Sequence, residues 1–390
     1  MNIETIAAII FLILLTLFLI KEKEKLSISG LFPLLYFVLY KTKTGIAQMT
    51  SVSRRYPRLI DMLSKIGVYV GIIGLVVVSW QLITNFLNLF LLPQAAPAVA
   101  LVLPFKAKGV FFVRFFYWII SIFIIAVIHE FSHGVVARLH NIPIKSSGFA
   151  FLGVIVPVIP AAFVEPHDKI LLKRSRMQRL AVFAAGPFSN IVSGVLFLLL
   201  LFALSFPVAS YIIQFDGVAI VGYTNNSAAE LAGIPKDSVI TQIDNTAIVT
   251  LNNLSAALQN RKVGDVVTVV TTNGTYDVKL GANPKNASLP YLGILSLQSQ
   301  KNNPDFEARY GSFTTSAILW FMGLLYLLFG LSIGIGLINL APVGPIDGGQ
   351  ISREIFTKLI KNEETAMKAW YWTSLFFFAI LITLILSGFF

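Results

Sequence analysis

The sequence predicts a polytopic α-helical membrane protein with about six transmembrane helices, a membrane-embedded re-entrant hairpin and one inserted α+β domain. Three observations predict it. The 390 residues are 56% hydrophobic and only 13% charged, with a mean hydropathy of +0.78, whereas soluble domains carry about a quarter charged residues. Six apolar stretches, 3–20, 66–92, 109–139, 181–206, 314–338 and 370–388, approach or exceed the roughly twenty residues that a spanning helix needs. Between the fourth and fifth lies a block, 208–310, rich in Asn, Asp, Thr and Gly, with short alternating runs such as DVVTVVTT at 265–272. Alternation of that kind marks half-buried strands.

The first stretch reads as an uncleaved span. Glu4 stands where a signal peptide would be basic, and no small-residue cleavage site precedes the KEKEK of 21–25. Residues 28–40 are too short to span and contain Pro33, so they are predicted to form an interfacial or re-entrant piece. Residues 148–164 are long enough, but Pro157 and Pro160 remove helix donors. Their β-branched residues and Gly153 predict an extended or re-entrant hairpin, which survives at membrane depth only where protein or water satisfies its backbone. Four segments result. Residues 1–108 form an N-terminal region of two spans and an interfacial piece. Residues 109–207 and 311–390 form the two parts of a membrane core, and 208–310 form the inserted domain.

The net charge of +11 gathers in three clusters, at 21–65, 169–179 and 353–368. With six spans, all three fall on one side, which the positive-inside rule makes cytoplasmic. Both termini and the inserted domain then lie outside, in a multi-pass protein of the cell membrane. This accounts for the charge with the lipid bilayer as partner and no nucleic acid. The chain has no cysteine, which excludes thiolate metal sites, disulfides and cysteine nucleophiles.

The stretch AVIHEFSHGVVARLH, 126–140, places ionisable groups in the third span. HEFSH fits H-E-x-x-H. His129 and His133, at i and i+4, share one helix face and can share one cation, with Glu130 beside them to take a proton from water. A charge at the bilayer centre costs about 2.5–3.5 kcal/mol even on the lenient scale, so a polar helix contact explains three such groups poorly. Zinc needs a third protein ligand and an open position. In INLAPVGPIDGGQ, 338–350, Pro342 and Pro345 break the fifth helix, while Gly348 and Gly349 permit tight turns. Asp347 is then an acid on irregular backbone at membrane depth. His140 marks a helix end, and His167 and Asp168 lie in a solvated loop. Glu165 is the alternative third ligand, in a zinc protease serving a water-filled membrane cavity. A transporter also uses a broken helix around an acid, but leaves HEFSH unexplained.

Together these residues resemble the site-2 protease family of intramembrane zinc metalloproteases. HEFSH at 129–133 is similar to its HExxH, GPFSN at 186–190 to its G-P-x-x-N, and NLAPVGPIDGG at 339–349 to its N-x-x-P-x-x-P-x-D-G. FVEP at 163–166 fits the loop leading into the GPFSN helix. The resemblance implies one zinc ion held by His129, His133 and Asp347, with Glu130 as acid–base. The expected activity is hydrolysis of peptide bonds in or near transmembrane helices of membrane-protein substrates, as in regulated intramembrane proteolysis. The 148–164 hairpin is similar to the family's membrane-embedded strand, which would hold an unwound substrate by strand addition. Asn339 and Asn190 are expected to position substrate or stabilise an oxyanion; for Asn190, helix packing is the plain alternative. The topology puts the HExxH motif towards the cytoplasmic side.

In the inserted block, SAAELAGIPKDSVITQIDNTAI at 227–248 resembles a PDZ domain as found inserted in site-2 proteases, with Ser227 capping a helix and a turn at Asp244-Asn245. Residues 251–265 are predicted to hold an amphipathic helix with Leu251, Leu254 and Leu258 on one face. Residues 266–280 are predicted to form a hairpin turning at Asn273-Gly274. A PDZ groove takes an extended peptide onto a sheet edge. The resemblance therefore implies a filter for a peptide or substrate ectodomain, with FDGVAI, 215–220, as the edge. A non-catalytic PDZ membrane scaffold is the other class, and would need neither metal nor Glu130.

Overall fold

The computed structural model describes residues 3–31, 35–91, 99–154, 156–284 and 286–389. The chain divides into two compact units, 1–201 with 323–390, and 202–322. The first begins with α1 (Ile3–Lys21), a hairpin of β1 (Leu26–Leu31) and β2 (Leu35–Thr42), α2 (Ile46–Arg55) and the long α3 (Pro57–Leu91). Two short parallel strands, β3 (Leu101–Leu103) and β4 (Val110–Phe112), precede α4 (Phe115–Leu139). Then come β5 (Ile144–Val154), β6 (Val156–Pro166), the single turn α5 (Asp168–Leu171) and α6 (Arg176–Ile212).

Four strands make one antiparallel sheet in the order β1-β2-β5-β6. The expected hairpin of 148–164 is the β5–β6 pair. The 28–40 piece is no separate interfacial element: it pairs with that hairpin, from Tyr36 opposite Gly153 to Thr42 opposite Ser147. Pro33 lies outside the described residues. A side chain at position 153 would run into the Tyr36 ring, so glycine there lets β2 lie flat on β5. FVEP is the end of β6 rather than a loop. The amphipathic α2 packs on α4, with Met49 against Gly134 and Arg138 Nε donating to Thr50 Oγ1 at 2.9 Å.

The second unit holds β7 (Ile213–Tyr223), α7 (Ala228–Leu231), β8 (Val239–Ile243), β9 (Thr246–Ala247), α8 (Leu251–Gln259), β10 (Val266–Thr271), β11 (Gly274–Lys279), β12 (Gly281–Asn283), β13 (Asn286–Tyr291), β14 (Ile294–Asn302) and α9 (Pro304–Tyr310). Its main sheet runs β11-β10-β8-β7-β14, with β9 on β8. Alternate residues fill its core, among them Val218, Ile220, Ile240, Val267, Val269 and Val278, as period-two patterning requires. Ser227 caps α7 as expected, accepting from Glu230 N–H. Thr250 and Asn253 form a capping box on α8, which ends at Gln259. Two expectations are corrected. Thr271 faces Gly274, so the hairpin turns at Thr272-Asn273, one residue early. Strand β7 lies between β8, which it meets at Val218 and Ala219, and β14, so it is not an outer strand; the outer strands are β11 and β14.

Back in the first unit, α10 (Ser312–Ile338) leads into it, followed by α11 (Asp347–Leu359) and α12 (Glu363–Ser387). Among the described residues, six helices, α1, α3, α4, α6, α10 and α12, are long and apolar enough to cross a membrane. They expose large apolar side chains such as Leu14, Trp80, Phe90 and Trp372, a surface suited to lipid. The molecule is a multi-pass membrane protein. Its interior cluster joins Val68, Val136, Ala184, Leu340, Ile351 and Phe377. Small residues let the helices close up: Gly67 receives the Phe188 ring and Gly71 meets Ala184. The second span, for which the sequence suggested no role, thus buttresses α6.

Candidate metal centre and active site

Helix α4 turns its lipid-compatible side chains, including Phe116, Phe123 and Val127, outward and buries His129 and His133. The two imidazoles stand one turn apart with their Nε2 atoms 3.1 Å from each other. The third group arrives from α11. Helix α10 stops at Ile338, short of Pro342 and Pro345, and the chain turns until Asp347 opens α11. An acid in a first helical turn is favoured by the helix dipole. Gly348 and Gly349 sit in that same turn, and neither has a positive φ. Their need is closeness rather than tight turning, because Cβ atoms there would strike the backbone of Leu340, Ala341 and Val343. Gly348 N–H donates to Asn339 O at 2.7 Å, and Trp370 Nε1 donates to Gly349 O at 2.8 Å.

This folding brings Asp347 Oδ2 to 3.1 Å from His129 Nε2 and Oδ1 to 3.4 Å from His133 Nε2. Ligand atoms of the three residues lie within 4.8 Å of one another. The donors of a tetrahedral zinc site with bonds of about 2.0–2.1 Å stand roughly 3.3 Å apart, so spacing and chemistry both fit that ion. Gly186 of α6 adds a second sign. A Cβ there would collide with Nε2 of both histidines, so the bare backbone leaves the space at the donors open. Pro187 follows, and its missing N–H releases one intrahelical bond in that wall.

The surroundings hold each ligand. His133 Nδ1 faces Val182 O at 2.7 Å; a carbonyl only accepts, so this nitrogen carries a proton, and in the neutral ring Nε2 would then offer its lone pair. His129 Nδ1 faces the Asn190 amide nitrogen at 3.1 Å. Glu354, buried on α11 seven residues after Asp347, takes two bonds from Arg179 of α6 at 2.7 and 2.6 Å, locking the Asp347 helix to the Gly186 helix. The sequence reading missed this pair, although an acid at i+7 from Asp347 was its visible signal.

Glu130 lines the same cavity, of about 560 Å³, together with Asn339, Gln350 and residues of β6. Its Oε2 accepts from Val164 N–H at 2.9 Å. Strand β6 ends the sheet, and Val164 N–H points off it. Alternation puts Pro160, Ala162 and Pro166 on that same free edge, where two prolines offer no donor. The edge thus presents N–H groups only at Ala162 and Val164 between them. An adjoining apolar cavity of about 360 Å³, bordered by Phe11, Phe123 and Phe151, shares Pro160, Ala161 and Ala162 with the first. Asn190, fully buried, lies behind His129. Glu165 does not join the three donors. It accepts from Ser146 at 2.7 Å and from Lys145 at 3.3 Å, and the Ser146 bond foremost holds its carboxyl below the usual range. His140 caps the end of α4, where burial lowers its pKa.

Residues 117–383 match the family model of peptidase family M50. The chain belongs to this family. M50 is the site-2 protease family, whose members are metallopeptidases, and its matched span takes in the HEFSH helix, α6 and the Asp347 segment. No curated protein matches the chain. Among solved structures, the PDZ domains of the SdrC-like proteins of Listeria monocytogenes and Listeria innocua are similar to 22% of this M50 chain. They are 25% and 22% identical, are covered over 90% and 97% of their own lengths, and have TM-scores of 0.20.

Proposed function

We propose that this M50 peptidase is an intramembrane zinc metalloprotease that hydrolyses peptide bonds in or near transmembrane helices of other membrane proteins. The observation that carries the reading is the convergence of His129, His133 and Asp347 at zinc-like spacing beside Glu130, in a cavity walled by a free strand edge. The two histidines and Asp347 would hold the ion. Zinc, when bound, supplies a Lewis acid that makes water reactive near neutral pH. Glu130 takes the proton from that water and later gives it to the leaving amine.

The free edge of β6 supports a transmembrane substrate. A helical peptide hides its carbonyls, so the bond to be cut must first unwind. An unwound segment can accept from Ala162 N–H as an added strand, and from Val164 N–H where it displaces Glu130 Oε2. The apolar cavity beside Pro160 gives the rest of the substrate a lipid-like approach. Asn339 lines the same cavity and would bind substrate backbone or an oxyanion. Glu165 makes a poor third ligand while Ser146, Lys145 and Lys41 share its carboxylate.

We also propose that the inserted domain is PDZ-like and filters substrates by a peptide or ectodomain. One of its free edges is β14, where Leu295 and Leu297 are exposed. The three basic clusters favour an extracytoplasmic inserted domain and an active site towards the cytoplasm.

The test is zinc content of the purified protein beside His129→Ala and Asp347→Ala. Stoichiometric zinc, lost in both variants, supports one site built from two motifs. Metal kept by Asp347→Ala moves the third ligand elsewhere, and no metal in the wild type favours the scaffold.

A further inference from the structure

Asn190 lies at the wall of the site cavity, against one of the candidate ligands. Its side chain is fully buried in α6, with Nδ2 3.1 Å from His129 Nδ1. Its Oδ1 is equally buried and has no hydrogen-bond partner. Both features point the same way once the donor centre is considered. His129 Nε2 faces Asp347 Oδ2 and His133 Nε2, each at 3.1 Å. To give that nitrogen's lone pair to a cation, a neutral imidazole must carry its proton on Nδ1. Nδ1–H then needs an acceptor. His133 has one, the Val182 carbonyl. For His129 the group in place is the Asn190 amide, which presents a donor to a donor.

We propose that Asn190 is the positioning residue of His129: in the metal-loaded protein its amide stands a half turn about χ2 from the orientation seen here, and Oδ1 accepts from His129 Nδ1–H. The turn exchanges two groups of nearly equal size, so it needs no repacking. It gives the orphaned oxygen a partner and fixes the tautomer in which Nε2 is a ligand. Neighbours hold the amide's place. Ser193 Oγ and Ser332 Oγ both donate to the Asn190 backbone carbonyl, at 3.1 and 2.8 Å, pinning this turn of α6 to α10. The inference rests on the zinc reading above and replaces an oxyanion role for Asn190 with one exerted through His129. Partners of this kind change metal affinity by about 10–100-fold when removed.

The experiment is a competitive zinc titration of detergent-purified wild type, Asn190→Leu and Asn190→Asp. Leucine nearly keeps the volume and removes the acceptor; aspartate keeps an acceptor oxygen. We expect Asn190→Leu to bind zinc on the order of 10–100-fold more weakly and Asn190→Asp to recover most of the loss. Leucine binding as the wild type does would overturn the proposal, since packing alone would then suffice. So would equal losses in both variants. Nitrogen NMR of the ¹⁵N-histidine-labelled, zinc-loaded protein reads the tautomer directly. A slowly exchanging Nδ1–H on His129 that becomes fast-exchanging in Asn190→Leu supports the proposal, and Nε2–H, or an Nδ1–H unchanged by that variant, contradicts it. A wild type that binds no zinc removes the metal reading itself, an outcome distinct from all of these.

Discussion

Val164 N–H donates to Glu130 Oε2 at 2.9 Å, so the free edge of β6 is tied to the helix that carries both histidines. The proposed acid–base group and the strand that would hold substrate are therefore tied together in this structure. Glu130→Gln keeps an oxygen for Val164 and the packing of the helix, but cannot take a proton. It should retain zinc and lose activity by about 10²–10⁴-fold. Turnover of a single-span membrane reporter, measured beside zinc content, checks this; normal cleavage by the variant would sink the mechanism.

Gly186 leaves room at Nε2 of His129 and His133. Gly186→Ala adds one methyl group where the two nitrogens converge. The variant should fold with its helices intact and bind little zinc. Elemental analysis together with circular dichroism separates that outcome from general misfolding.

Glu354 is buried and takes two bonds from a partly exposed Arg179. Glu354→Ala removes those two bonds, at a cost of about 1.5–3 kcal/mol, because solvent and the Arg174 carbonyl still reach the guanidinium. Thermal unfolding in detergent should show a marked drop in midpoint. Replacing both residues, as Arg179→Met with Glu354→Leu, should recover most of it. A single variant as stable as the wild type would mean that α6 and α11 are held together by packing alone.

Zinc would bridge α4 to the start of α11, elements that meet only in the folded chain. Removing it with a chelator should lower the unfolding midpoint as well as stop cleavage. A ligand at 100 times its dissociation constant stabilises by about 2.7 kcal/mol. Adding zinc back should restore both; an unchanged midpoint would argue against a metal joining these helices.

The inserted unit has its own interior, from Val218 to Leu292, and its ends meet where Asn303 N–H donates to Ile212 O at 2.8 Å. A fragment spanning 212–303 should fold alone and unfold in one cooperative step. Poor dispersion in its amide NMR spectrum would show that it depends on the membrane unit.

Composition made the six spans legible, because a helix that faces lipid must be apolar for about twenty residues. HEFSH was legible because i and i+4 share a face whatever the surroundings. The proline breaks were legible as the end of the fifth span, and α10 does stop at Ile338, but Asp347 opens helix α11 instead of lying on irregular backbone. What stayed hidden was pairing at a distance. Thr42 faces Ser147 across more than a hundred residues, and nothing local in 28–40 names that partner. The edge of the inserted sheet was misplaced for the same reason: strand order follows from contacts between remote segments, not from the pattern within FDGVAI. The hairpin turn slipped by one residue because Asn-Gly is the commoner turn pair, whereas here Gly274 closes the ladder instead. The need for Gly348 and Gly349 to be bare was visible only once Leu340 and Val343 lay against them.

The prolines of β6 have a consequence for hydration. An open strand edge at bilayer depth leaves backbone groups that hydrocarbon cannot satisfy, each costing several kcal/mol. Pro160 and Pro166 reduce the donors on that edge to those of Ala162 and Val164, and Glu130 takes one of them, while the edge carbonyls remain as acceptors. The remaining groups need water or an added strand, so the cavity beside β6 would have to be hydrated. On the proposed function, a substrate helix entering from the apolar side would pass from oil to water within a few residues. Its internal hydrogen bonds would lose their advantage there, beside Glu130.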